Sequence, residues 1–341
     1  MKAALERGHG VPLLELKAVS KRFVRGHGLA ARIANLAGVN LRREAVRAVE
    51  RVDLAIGEGQ VVAVVGESGS GKSTLGRLAV GLLPLSAGER YWRGERCATA
   101  AGKAQPQPQL KMQMIFQDPY AALNPRHRVI DIVGEAPVVH GLIGARQKIE
   151  YVGLQLNRVG LDPTLMRRFP HQFSGGQRVR IGIARALAVK PELLVCDEPG
   201  AVLDVSIQAQ LLNLFMDLRA ALDLSYLFLS QDLRVSRHIS DRVAIMYLGQ
   251  IVELGPTGEL FAAPNHPYTQ ALLSEAGLLE PKKRTLVPVR GEIPPPLARP
   301  TGCQFHPRCP YAMPRCEAVP PQLAEIAPGR WAACYLNDTA A

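Results

Sequence analysis

Along the chain, short runs that are apolar at every position alternate with longer stretches whose apolar residues recur at helical spacing. Val61–Val65 is uniformly apolar, which predicts a strand covered on both faces, as in a parallel sheet. Residues 75–83 have helical spacing and meet Pro84, so a helix is predicted to end there. Residues 13–19 alternate as a first strand closed by Lys21-Arg22-Phe23, and residues 49–56 alternate again before the tight turn Gly57-Glu58-Gly59. Residues 112–117, 193–196 and 226–230 read as further apolar strands, with a helix at 207–222. Residues 244–248 and 251–254 form a hairpin-like pair about the turn Gly249-Gln250. From Asp118 to about Leu187 the signals are helical, with no strand-like run. Residues 24–47 lack a period and are expected as an inserted surface loop with a short helix, and the Ala-, Gln- and Pro-rich stretch 98–109 as a loop.

The chain of 341 residues is long enough for two domains. Proline becomes frequent beyond Gly255-Pro256, notably at Pro294-Pro295-Pro296, so a boundary is expected near residue 260. The expected division is 1–260, with a helical subdomain over about 118–187, followed by a small extension over 261–341. A composition of 47% hydrophobic and 21% charged residues is that of an ordinary soluble protein. No apolar run reaches the length of a membrane span, and residues 1–10 contain no signal-peptide core, so cytoplasmic residence is expected. The net charge of +11 is compatible with anionic lipid or nucleic acid, but it is spread along the chain and aromatics are only 5%. It is read as solvated surface, with a membrane-facing side second and no nucleic-acid partner. Six cysteines in a cytosolic chain argue against disulfides.

The chemistry starts at Gly66-Glu67-Ser68-Gly69-Ser70-Gly71-Lys72-Ser73-Thr74, which fits G-x-x-x-x-G-K-[ST]. A strand before it and a helix after it are the flanks a phosphate loop needs; a chance glycine-rich turn would lack them. Glycines let backbone N–H groups close on phosphate oxygens, and the helix N-terminus adds partial positive charge. Lys72 is then expected to reach the β- and γ-phosphates of a nucleoside triphosphate, and the Ser73 hydroxyl to ligate Mg²⁺.

Asp197 and Glu198 end the strand at 193–196. Acids at the carboxyl end of a buried strand sit where open α/β sheets bind ligands. Asp197 suits the Mg²⁺-holding acid, and Glu198 a general base that orients water towards the γ-phosphate. Ser174-Gly175-Gly176-Gln177 stands at a predicted helix start carrying Arg178, Arg180 and Arg185, which makes a second anion site. Such a second site can serve the nucleotide of another subunit.

The order of these motifs, with Gln117, Leu203-Asp204 and the strand ending at Ser230, resembles the nucleotide-binding subunit of an ATP-binding cassette transporter over roughly residues 13–255. The resemblance implies an α/β P-loop NTPase cassette with a mixed sheet and a helical subdomain. It also implies ATP held between the phosphate loop of one subunit and the Ser-Gly-Gly-Gln of another in a head-to-tail dimer. Two transmembrane permease subunits and, indirectly, an extracytoplasmic solute-binding protein are the further partners implied, with the chain peripheral on the cytoplasmic face of the membrane. Gln117 takes the place of a residue touching Mg²⁺ and the attacking water. Phe23 takes that of an aromatic stacked on adenine, with a core Phe at a strand end as its alternative.

Asn265-His266-Pro267-Tyr268-Thr269-Gln270, residues 119–126 after Gln117, and Cys303-Gln304-Phe305-His306-Pro307-Arg308-Cys309-Pro310 resemble the oligopeptide/dipeptide-importer branch. Importers of nickel, glutathione and some oligosaccharides share these features. Cys303, Cys309, Cys316 and Cys334 follow C-x₅-C-x₆-C-x₁₇-C. Four thiolates in a Pro-rich segment point to a metal staple, either zinc or an iron–sulfur cluster, with free thiols as the alternative. Resemblance to some members of the branch favours [4Fe–4S]. Two family positions differ: Gln231 replaces a histidine that contacts the γ-phosphate, and Gly200-Ala201-Val202 replaces Thr-Ser-Ala. The expected function is an ATPase energising import of peptides or related solutes. The alternative is a catalytically weak, ATP-binding structural subunit that completes a partner's site in a heterodimer.

Overall fold

The computed structural model describes residues 10–24, 45–100, 110–201, 203–278, 291–295 and 297–338. In chain order, β1 (Leu14–Val24), β2 (Ala45–Ile56) and β3 (Val61–Val65) precede helix α1 (Lys72–Ala79). Strands β4 (Ala87–Trp92), β5 (Glu95–Thr99) and β6 (Met112–Ile115) lead into α2 (Val129–Val139), α3 (Lys148–Arg158) and α4 (Gly175–Leu187). Next come β7 (Leu193–Asp197), α5 (Val205–Leu222), β8 (Ser225–Ser230), α6 (Leu233–Ile239), β9 (Arg242–Tyr247) and β10 (Gln250–Pro256). The chain closes with α7 (Thr257–Ala262), α8 (Pro267–Glu275), α9 (Pro314–Ala318), β11 (Ala324–Ala327) and β12 (Arg330–Ala332).

The main sheet has eight strands in the order β11-β12-β10-β9-β3-β8-β7-β6. Its centre is parallel: β3 runs with β8 and β9, β7 with β8, and β6 with β7. The apolar runs mark these strands because both faces are covered. Val61, Ala63 and Val65 enter the core beneath the helices, and Val62 and Val64 enter a second core. That second core lies against the antiparallel sheet β2-β1-β4-β5 and includes Leu75 and Leu78 of α1. The long helical tract is α2 to α4, as the periodicity predicts.

Three expectations need correction. Helix α1 starts at Lys72 and ends at Ala79, because Gly81 turns the chain with φ +81° before Pro84 is reached. Strands β4 and β5 were not predicted, and Ala98 and Thr99 end β5 instead of opening a loop. The loop expected at 24–47 contributes Ala45, Val46 and Arg47 to β2; residues 25–44 and 101–109 lie outside the described residues. Among the described residues the C-terminal extension has no separate sheet. Strand β12 pairs with β10 through Glu253↔Ala332 and Leu254↔Trp331, and Tyr268, Leu273 and Phe305 join the core under the helices.

Candidate nucleotide site

The parallel strands β3, β8, β7 and β6 are neighbours, and the sequence-predicted polar residues follow their carboxyl ends. The phosphate loop follows β3, Gln231 follows β8, Asp197-Glu198 close β7, and Gln117 follows β6. This is the edge of an α/β sheet where strand ends leave a crevice.

The loop folds tightly because glycine supplies conformations and clearance that other residues lack. Gly71 has φ +107°, and a Cβ there would meet the Ala48 carbonyl oxygen at 2.3 Å. A Cβ on Gly66 would come 2.1 Å from the Met246 carbonyl oxygen. The loop delivers Lys72 and Ser73 as the first residues of α1. The Lys72 ammonium donates to the carbonyls of Gly66 at 2.8 Å and Glu67 at 3.1 Å. It also stands 3.6 Å from Glu198 Oε1. Burial lowers the Lys72 pKa, and the charges of Glu198, Asp197 and Glu67 oppose that shift.

The Ser73 hydroxyl donates to Asp197 Oδ1 at 2.8 Å, so the two oxygens suited to Mg²⁺ are adjacent. Burial raises the Asp197 pKa and the Glu198 charge adds to it, against the Ser73 bond and the charges of Arg77 and Lys72. Glu198 is clamped by two amides: Gln117 Nε2 donates to Oε2 at 2.9 Å and Gln231 Nε2 to Oε1 at 2.8 Å. Its backbone is left-handed, with φ +46°, and its N–H donates to the Leu229 carbonyl at 2.9 Å. A left-handed non-glycine residue costs on the order of 1 kcal/mol, and here the β7–β8 contact holds it.

Together Ser68, Gly69, Gly71, Lys72, Ser73, Thr74, Gln117, Glu198 and Gln231 line a pocket of about 220 Å³. Its other wall comprises Val46, Arg47, Ala48, Leu248 and Arg299. The donor set fits a magnesium–triphosphate: a cation, an acid–hydroxyl pair and a glycine-rich loop. Gly66, Glu67 and Ser70 complete the loop outside this lining; Ser70 Oγ is buried and has no partner among the described residues. Ser174, Gly175, Gly176 and Gln177 do not line the pocket. They start α4 in a reciprocal cap, where Gln177 Oε1 accepts the Ser174 N–H at 3.0 Å and Ser174 Oγ accepts the Gln177 N–H at 3.4 Å.

Phe23 does not line the pocket either. It is 42% exposed, which removes the core-residue alternative, and it pairs across the ladder with the lining residue Val46. Arg299 is the lining residue that spacing could not reveal: its closest partners, Arg47 and Glu50, are about 250 residues away in sequence.

The six cysteines are free thiols. Burial raises the pKa of Cys303, Cys309 and Cys334, the latter two to about 11, with neighbouring cysteines adding to each shift. The extension thus brings Cys303, Cys309, Cys316 and Cys334 into electrostatic range of one another. Among the described residues, however, no three or more His, Cys, Asp or Glu side chains group closely enough to hold a metal ion.

A family model described as ABC transporter matches residues 49–201, and one described as the C-terminal region of oligopeptide/dipeptide transporters matches residues 252–316. The oligopeptide transport ATP-binding protein AppF of Bacillus subtilis is 44% identical over 328 residues, 95% of this chain and 97% of its own length. The chain belongs to the ATP-binding cassette transporter family. A Brucella abortus protein named for peptide import and ATP binding is 49% identical over 298 residues, covering 86% of this chain and 88% of that one. Among solved structures, a dimeric ATP-binding cassette in a post-hydrolysis state with ADP and phosphate aligns with a TM-score of 0.59 at 25% identity, covering 72% of this chain and 98% of that one. The α/β cassette with mixed sheet and helices is therefore the fold of this family member. Among the described residues no helix is long and apolar enough to cross a membrane.

Proposed function

We propose that the chain is the ATP-hydrolysing subunit of an importer for peptides or related small solutes, driving transport through two membrane-embedded permease subunits. The observation that carries this is the Glu198 carboxylate, held by Gln117 and Gln231 beside the Ser73–Asp197 pair and Lys72. In this reading Lys72 and the loop residues Gly66 to Thr74 hold the phosphates of ATP, and Ser73, Asp197 and Gln117 hold Mg²⁺. Glu198 accepts a proton from the attacking water while Gln117 and Gln231 fix its orientation. Phe23, on the strand beside Val46, supplies the adenine contact. The names of the relatives from Bacillus and Brucella support the peptide class.

Ser174, Gly175, Gly176 and Gln177 serve the ATP of a second cassette subunit, in a heterodimer on the cytoplasmic face of the membrane. A solute-binding protein delivers cargo on the opposite face. Residues 1–260 form the cassette, with a helical subdomain over about 118–187, and residues 261–341 form its extension. The cysteines of the extension are read as a [4Fe–4S] site, with zinc as the alternative. What supports this reading is the sequence pattern C-x₅-C-x₆-C-x₁₇-C and its resemblance to some members of the branch. Nothing favours the weak-subunit reading, and Glu198 itself is present beside Lys72.

The test is reconstitution of the subunit with its permeases and partner cassette in vesicles. Peptide-loaded binding protein should stimulate ATP hydrolysis and uptake together. Hydrolysis that no peptide, with or without a binding protein, stimulates would overturn the assignment.

A further inference from the structure

Glu67, the second residue of the phosphate loop, is gripped from outside the loop. Arg308 meets its carboxylate fork to fork, NH1 to Oε2 at 2.9 Å and NH2 to Oε1 at 3.0 Å. The Tyr268 hydroxyl accepts the Glu67 backbone N–H at 3.1 Å. The remaining Glu67 carbonyl accepts from Lys72 Nζ at 3.1 Å and from the Ser70 N–H at 3.2 Å. Both external partners come from the C-terminal extension, about 200 and 241 residues downstream.

The grip is rigid at its base. Tyr268 is fully buried, with ring centroids 4.6 Å from Tyr247 and 5.4 Å from Phe305. The Arg308 side chain is 7% exposed and its NH1 also lies 3.4 Å from the Tyr247 hydroxyl. A second anchor reaches the opposite wall: Arg299 NH1 donates to Glu50 Oε2 at 3.1 Å and NH2 to the Arg47 carbonyl. Arg47 and the loop residue Ser68, next to Glu67, line the same pocket.

We propose that Arg308 and Tyr268 are positioning residues for ATP binding: by fixing Glu67 they hold the phosphate loop in its binding geometry, so the C-terminal extension sets the affinity of the cassette for nucleotide. The proposal rests on reading residues 66–74 as the ATP site. A loop fixed before binding loses less conformational freedom on closing round phosphate, and that difference appears in affinity. A merely architectural ion pair would instead dock the extension and leave the nucleotide unaffected.

The experiment uses the full chain, titrated with Mg-ATP by calorimetry and assayed for ATPase with its permeases and partner cassette. Arg308→Lys keeps the charge but loses the fork, and Glu67→Gln keeps the shape but loses the charge. Each should raise the Kd for ATP about ten-fold, and Arg308→Lys should raise KM likewise with kcat changed by less than about two-fold. The two substitutions combined should weaken binding little more than either alone, because they break one contact. Tyr268→Phe removes a single oxygen and should raise Kd about three-fold, which keeps the test available if the arginine variants fail to fold. Hydrogen exchange should show faster opening of the loop amides in each folded variant. Unchanged Kd in any folded variant, or strictly additive effects, overturns the proposal. If Lys72→Ala abolishes binding while the Arg308 and Tyr268 variants bind normally, the clamp falls and the ATP site stands. If the unaltered chain fails to bind Mg-ATP, the site reading itself falls.

Discussion

The chain holds two helix starts that we propose to bind phosphate, and they are built in opposite ways. At α1, Lys72 is buried and tied to two carbonyls, and Ser73 bonds to an acid on another strand. At α4, Ser174 is exposed, and the bonds that cap this start are the reciprocal ones between Ser174 and Gln177. The first site is assembled from four strand ends, with its loop held at Glu67 by Arg308 and Tyr268 of the C-terminal extension. The second is a finished helix cap whose first residue, Ser174, is exposed. In the proposed reading one site acts on a ligand and the other is brought to one.

The strongest way to break this comparison is Lys72→Ala, which should weaken Mg-ATP binding to the chain by more than about 100-fold in calorimetry. Retained affinity would remove α1 as the primary site. Glu198→Gln should lower hydrolysis by roughly 10² to 10⁴-fold while ATP still binds, as measured by single-turnover assay and equilibrium binding. Comparable losses of both would make Glu198 a binding group instead. With the partner cassette's own glutamate disabled, Gln231→His should raise residual turnover by about five- to thirty-fold, since a charged donor is roughly twice as strong as an amide. No change would mean that Gln231 serves only to hold Glu198. Smallest in stability, Ser174→Ala should cost about 1 kcal/mol in denaturant unfolding. It should leave the Mg-ATP affinity of the isolated chain untouched while slowing hydrolysis in the assembled transporter. Reduced affinity in the isolated chain would show that the two sites are not separate.

The legible parts of the molecule are those in which local pattern and tertiary setting agree. Val61–Val65 and Leu193–Cys196 are buried at every position, so their uniform apolarity marks both as strands and, for Val61–Val65, the parallel sheet as well. The phosphate loop could be read because glycine, lysine and serine must lie next to one another to do their work. Strands β4 and β5 escaped notice because Ala87-Gly88-Glu89-Arg90 and Glu95-Arg96 break any apolar alternation; their place is set by pairing with β1 and with each other. Helix α1 was expected too late because Lys72-Ser73-Thr74 is polar, and its helical start is dictated by the loop. Arg299 and Arg308 were unreadable as site residues for a simpler reason. A side chain that acts on a residue more than 240 positions away leaves no spacing to find, although Arg308 sat inside a stretch already marked by its resemblance.

The placement of β3, with residues alternating into two cores and both edges paired in parallel, has a consequence on the time axis. Amides bonded on such a strand exchange with solvent only when the whole domain opens, whereas loop amides exchange through local fluctuation. The slowest and the fastest protons of this region should therefore be separated by only a few residues, across Val65 and Gly66. Motion of the phosphate loop cannot dissipate backwards into the sheet, and must go forwards into α1 or sideways into whatever holds Glu67.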